Sequence, residues 1–231
     1  MTPVLFYGAP EGCSFGSIVA LEWSGLAYRL CRIEMPSVVT SDAFRRINPA
    51  AETPALMTAD GRVVSQSAAI LHHIGAASTA SALVPPVGTP AFDHFNQVLS
   101  FLNTNFFESF ATLWYALEHG KEGPEKDALR SMGQQKVRKA HADLERMLDG
   151  APWLAGESRT AADAYFAGIA RWNDFHAVLD RSEFPALDAL YQRLQQDPAV
   201  RFAHSVEHGE PAKGAGGFAG HMELGQVVAA G

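Results

Sequence analysis

Cysteine is scarce in this chain, with only Cys13 and Cys31 among 231 residues. Two thiols cannot supply the dense disulfide framework of a small secreted domain, and in a reducing compartment a bond between them is not expected. Basic residues are in deficit too, 18 Lys and Arg against 25 Asp and Glu, for a formal charge of -7. No basic cluster longer than the pair in "FRRIN" relieves that deficit, which argues against nucleic acid as a partner. Long apolar runs are also missing. Residues 68–92 lack charged side chains, yet they hold His72, His73, several hydroxyls and three prolines, a composition unsuited to a membrane span. The opening "MTPVLFYGAP" has no basic segment followed by a long apolar one, so no secretory signal is read and a cytoplasmic location is expected. The nine histidines form no metal-ligand spacing with Cys13, and no metal is expected.

What the chain has is 47% hydrophobic residues, enough for a sizeable core in one large or two modest domains. Its first 76 residues alternate strand and helix. "PVLFY" is a short apolar run closed by Gly8 and Pro10, as a buried strand requires. Phe15, Ile18, Val19 and Trp23 recur at helical spacing up to Gly25, a helix stop. In "LCRIEM", Cys31, Ile33 and Met35 alternate with charged residues, which predicts a strand with Cys31 packed on its core side. "TPALMTADGRVVSQSAAILHHI" reads as a strand, an Asp60-Gly61 hairpin turn, a second strand and a helix from about Gln66. The order βαβ-ββα predicts a four-stranded mixed sheet with helices on it.

Residues 77–90, "ASTASALVPPVGTP", read as a linker. Beyond them the pattern is helical: Phe92, Phe95, Leu99, Leu102, Phe106, Phe110, Leu113 and Leu117 predict one long helix with an aromatic stripe. Further helices are expected at about 123–149 and 160–177, then one more before "QQDPAV". "TAAD", residues 160–163, is a capping box, so Asp163 is structural; its hydrophobic staple is missing, because Arg159 and Ala164 occupy the two positions that should touch. From Ser205 onward, seven glycines in 27 residues predict a flexible tail. The expected division is 1–76, a linker at 77–90, a helical domain at 91–204 and a tail at 205–231.

Three features converge at one end of the predicted sheet. Cys13 lies between the first strand and the first helix, where unpaired N–H groups and the helix dipole favour an anion and lower a thiol pKa, with Ser14 and Ser17 as further donors. Its alternative is a turn cysteine with no chemistry. Pro54 opens a strand and is expected to follow a cis bond, which turns the backbone of Thr53 outward to pair with an extended peptide. Gln66 and Ser67 open a helix whose start can hold a carboxylate, or Ser67 is an ordinary cap.

The residues "FYGAPEGCSFGSIVALEWSG", "INPAAETPAL", "DGRVVSQSAAILHHI", "WLAGESRTAADAYFAGIARW" and "QQDPAV" carry a resemblance to the glutathione transferase family, most of all its bacterial beta class. It spans about residues 3–203. The resemblance implies a thioredoxin-like amino-terminal domain that binds glutathione, an all-helical domain that lines an electrophile pocket, and a homodimer. It places Cys13 near the glutathione sulfur, Thr53 and Pro54 against the cysteinyl backbone, and Gln66 and Ser67 at the γ-glutamyl carboxylate. Ser14 and Tyr7 rank behind Cys13 as catalytic candidates; a tyrosine near the end of the first strand serves other classes, and a phenol can donate to a thiolate. Phe107, Phe110, Trp114 and Trp172 are assigned to the pocket, with bundle core as the alternative. The chain departs from the class at Phe107 and Glu108, which stand where a His-Lys pair is usual. The implied reaction is conjugation of glutathione, a consumed cosubstrate, to an apolar electrophile in detoxification. Thiol-disulfide exchange through Cys13 and a non-catalytic binding or regulatory role are the alternatives.

Overall fold

A computed structural model describes residues 1–230. They form two compact units, one of Met1–Pro85 with the segment from Gln195 onward, the other Pro86–Leu194.

The first unit is built on β1 (Val4–Ala9), α1 (Phe15–Ser24), β2 (Ala27–Glu34), the short α2 (Asp42–Arg45), β3 (Ala55–Met57), β4 (Val63–Ser65) and α3 (Ser67–Ala77). Parallel pairing sets Tyr7 against Arg32, and antiparallel pairing sets Phe6 against Ala55. The β3–β4 hairpin turns at Asp60-Gly61, with Gly61 at φ +86°, where a side chain would be strained. Every residue of α1 is buried, because helix and sheet share one core. On the opposite face of the sheet Val4, Phe6, Cys31 and Ile33 pack with Phe44 and Val227, so Cys31 is a core residue.

The carboxy-terminal segment corrects the expectation of a flexible tail. After α11 (Pro198–His208; α4 to α10 belong to the second unit and follow below), residues Gly217–His221 form β5 and Leu224–Ala230 form α12. β5 pairs in parallel with β2, extending the sheet to five strands in the order β4-β3-β1-β2-β5. Glycine is required here for proximity rather than freedom. A Cβ on Gly217 would overlap the Leu26 carbonyl, and one on Gly216 would press on the backbone of Glu22. The Glu22 carboxylate accepts the N–H groups of Ala215 and Gly216 at 2.7 and 2.8 Å and the Tyr28 hydroxyl at 2.5 Å. Val227 of α12 reaches the buried cluster. The last residues therefore belong to the first unit.

The second unit is helical: α4 (Pro90–Phe101), α5 (Phe107–Ser109), α6 (Ala111–His119), α7 (Pro124–Leu148), α8 (Ala161–Ala170), α9 (Trp172–His176) and α10 (Pro185–Gln195, its last residue falling in the first unit). The expected single helix over the aromatic stripe is broken. A π-helical stretch at Leu102–Phe106 separates α4 from α5, and the Thr104 and Ser109 hydroxyls donate to the Ser100 and Phe106 carbonyls at 2.9 and 2.6 Å. Such back-bonding competes with the regular ladder. The capping box is formed: Asp163 accepts the N–H of Thr160 at 2.7 Å and of Leu154 at 2.9 Å. Among the described residues, no helix is long and apolar enough to cross a membrane.

Candidate functional site

The turn after β1 carries Cys13 to the start of α1. Its half-buried thiol donates to the Thr53 carbonyl at 3.1 Å. Burial pushes that thiol up to about 11, a hydrogen bond with Ser67 opposes the rise, and the charge of Glu52 adds to it. This corrects the expectation of a lowered thiol pKa: removal from water outweighs the helix start. Gly12, one residue earlier, donates its N–H to Glu207 of α11 at 3.1 Å, so a carboxylate already sits beside this loop.

Thr53 precedes β3, and the Thr53-Pro54 bond is cis. Gln66 precedes α3 at φ +73°, an uncommon conformation for a residue with a side chain. Ser67, the first residue of α3, is buried with its hydroxyl beside the Cys13 thiol. The structure thus brings Cys13, Thr53, Gln66 and Ser67 together at one end of the sheet, along with Glu52, whose Oε2 accepts from Gln66 Nε2 at 3.2 Å. Such a cluster offers a thiol, an open helix start for a carboxylate and a strand edge for an extended peptide.

Two candidates point elsewhere. Ser14 is buried and its hydroxyl accepts the Gly8 N–H at 3.1 Å, so it secures the turn. Tyr7 is buried, and its phenol pKa is raised by that burial and partly held down by a hydrogen bond with Arg32. It lines a separate cavity of about 570 Å³ with Arg32, Phe218 and His221, away from Cys13, Thr53 and Ser67. Arg32 also donates to the Glu207 carbonyl at 2.8 Å and caps the end of α11.

In the second unit Trp172 gathers the pocket candidates. Its ring lies 5.5 Å from Phe107, 5.7 Å from Phe110 and 5.3 Å from Trp114. Phe110 is fully buried, whereas Phe107 and Trp114 are half-buried. Sequence reading missed Phe175 and His176, which join at 5.1 and 4.6 Å from Trp114; their three- and four-residue spacing from Trp172 was the available signal. Burial, aided by the charge of Arg130, pushes His176 down to about 4. Glu108 is exposed and lines a different small cavity with Lys136 and Lys139. Glu52, Glu207 and Arg32 were also missed, and of these only Glu52, adjacent to Thr53, carried a positional hint. Among the described residues, no group of three or more His, Cys, Asp or Glu is placed to hold a metal ion.

Comparison with known proteins places these features in context. Residues 13–77 match the amino-terminal domain model of glutathione S-transferases, and residues 107–198 match the carboxy-terminal one. Glutathione S-transferase GST-4.5 of Xanthomonas campestris is 29% identical over 201 residues, covering 87% of this chain and 97% of the relative. A beta-class glutathione S-transferase of Sphingomonas chungbukensis superposes with a TM-score of 0.76 at 27% identity, over 88% of this chain and 98% of the other. A sphingomonad glutathione S-transferase complexed with glutathione gives a TM-score of 0.77 at 27% identity, over 89% and 98%.

Proposed function

The chain belongs to the glutathione S-transferase family of enzymes, and from that premise we propose that it conjugates the glutathione thiolate to apolar electrophiles. One observation carries the reading: Cys13, Thr53, Gln66 and Ser67 meet at one end of the sheet, linked by the Cys13 bond to Thr53 and the Cys13 contact with Ser67. Glutathione lies extended along Thr53, its γ-glutamyl carboxylate at the start of α3 and its sulfur beside Cys13. The sphingomonad relative complexed with glutathione supports this assignment.

Cys13 acts as a neighbour rather than as the attacking group. A thiol pushed up to about 11 is protonated near neutrality, so it donates a hydrogen bond, and turning from the Thr53 carbonyl to the glutathione sulfur stabilises the latter as thiolate once the glutathione proton has passed to solvent. The thiolate then attacks an electrophilic carbon. A C–S bond forms while halide leaves with its electron pair, or an activated double bond takes up the sulfur and then a proton from solvent. The aromatic group around Trp172 is assigned to the electrophile, with Phe107 and Trp114 facing it and Phe110 supporting from the core. The protein is read as a cytoplasmic homodimer that serves detoxification.

The test is calorimetry with glutathione on the wild type, Cys13→Ala and Cys13→Ser, with mass spectrometry of each and turnover of 1-chloro-2,4-dinitrobenzene. Binding by all three, no adduct and release of chloride are expected. A wild-type mass raised by one glutathione and absent from both variants would replace conjugation by thiol-disulfide exchange. Absence of binding in all three would overturn the assignment of glutathione.

A further inference from the structure

The cavity of about 570 Å³ beside Tyr7 has no part in the reading above, and its size falls in the range of roughly 300–1,000 Å³ usual for small-molecule sites. Most of its wall comes from residues 206–223, beyond the carboxy-terminal family match, which ends at residue 198. Pairing of β5 with β2 builds it, because that pairing brings the Phe218 and His221 rings, 5.2 Å apart, to the cavity shared with Tyr7 and Arg32. Two donors there have capacity to spare. Tyr7 is 2% exposed, and a guanidinium only donates, so the hydrogen bond between Arg32 and Tyr7 uses the phenol oxygen as acceptor. The Tyr7 proton is left over, donated to no group among the described residues. Arg32 has five N–H groups and engages four at most, with Glu34, Tyr7 and the carbonyls of Val206 and Glu207.

Charge decides which acceptor suits them. Glu34 already opposes the Arg32 charge at 2.6 Å. His221 adds none near neutrality, because partial desolvation and the charge of Arg32 lower its pKa. The exposed side chains of Glu210 and Glu223 also stand at the wall. The surroundings are net negative and oppose a further anion, while Val206, Phe218 and Met222 make the rest of the wall apolar. We propose that this cavity binds a neutral aromatic molecule through a carbonyl-type oxygen, which accepts from Tyr7 and Arg32 while the ring lies against Phe218 and Met222. Tyr7 thereby has a binding role of its own, separate from Cys13 and independent of glutathione.

The experiment titrates the full chain with three probes on one ring system: 2-acetylnaphthalene, neutral with a carbonyl; 2-naphthoate, an anion; and 2-ethylnaphthalene, which has no acceptor. NMR follows the amide resonances of Gly209, Ala212 and Met222, with the Trp114 indole as the reporter for the separate aromatic group around Trp172. The ketone is expected to move the three amides and to bind there about fivefold more tightly than 2-ethylnaphthalene, as one neutral hydrogen bond provides, and more tightly than 2-naphthoate. Tyr7→Phe keeps the ring and is expected to remove that fivefold margin by weakening the ketone alone. Ala212→Trp fills the cavity from the loop before β5, so the ketone is expected to leave Gly209 and Met222 unmoved in that variant. A ketone that moves only the Trp114 resonance, equal binding of ketone and 2-ethylnaphthalene, or unchanged ketone binding in Ala212→Trp overturns the proposal. Tighter binding of 2-naphthoate than of the ketone overturns it as well, because the cavity would then select an anion.

Discussion

Replacing Glu22 by alanine removes the acceptor that joins the carboxy-terminal segment to α1. Glu22 is buried, and its carboxylate receives the Tyr28 hydroxyl and the N–H groups of Ala215 and Gly216. Tyr28 is fully buried, so its hydroxyl loses its partner without gaining water, at about 1–3 kcal/mol. Ala215 and Gly216 are exposed, and their N–H groups turn to solvent at about 1 kcal/mol each. The total is about 3–5 kcal/mol, of which roughly 2 kcal/mol acts on opening of the segment, or about a thirtyfold change in its opening equilibrium. Native-state hydrogen exchange reads this at Met222, whose N–H donates to the Leu30 carbonyl at 2.8 Å. Its protection is expected to fall about thirtyfold in Glu22→Ala, and by less in Glu22→Gln, which keeps one acceptor oxygen. Undiminished protection at Met222, or a loss there no larger than over the rest of the first unit, would refute the role assigned to Glu22.

Other expectations are open to direct measurement. Alkylation of Cys13 by iodoacetamide should quicken about tenfold per pH unit through pH 9 without a plateau, because its thiol is pushed up to about 11; a plateau near pH 7 would refute the burial argument. His141 is buried and pushed down to about 4 from 6.5. A folded pKa below the unfolded one means stability is complete above about pH 6.5 and declines, by up to about 3 kcal/mol, as pH falls to about 4. Urea unfolding at pH 7 and pH 5 should show that decline, and His141→Leu should lessen it, the similarly depressed His176 keeping the remainder. Gly217→Ala drives a methyl group into the Leu26 carbonyl; loss of β5 protection in hydrogen exchange is expected, while an unchanged β5 would show that the backbone yields.

The parts of the fold that were legible are those with local causes. Gly25 after an apolar helical face, Asp60-Gly61 between two short strands, and Thr160 with Asp163 at a helix start each act within a few residues, and their elements form where the pattern puts them. The tail was misread because glycine has two meanings. Seven glycines suggested backbone freedom, yet Gly216 and Gly217 answer to the surfaces of Glu22 and Leu26, which composition does not display. Likewise the apolar stripe through Phe92–Leu117 runs unbroken across the π-helical stretch at Leu102–Phe106, because periodicity reports a face and not its hydrogen bonds. At the site, the positions of Cys13, Thr53, Gln66 and Ser67 followed from strand and helix ends. The ionisation of Cys13 did not, since it depends on burial and on Glu52, a tertiary neighbour.

The fifth strand also has a bearing on solubility. With β5 in place, β2 is an interior strand; without it, the eight residues Ala27–Glu34 would present a long row of free backbone donors and acceptors to other chains. Strand β5 replaces that edge with five residues, two of them glycine and one, Gly220, at φ +103°, a short and irregular border that templates poorly for a further strand. A chain ending at His208 should accordingly self-associate through β2, and light scattering of the truncated protein would register it.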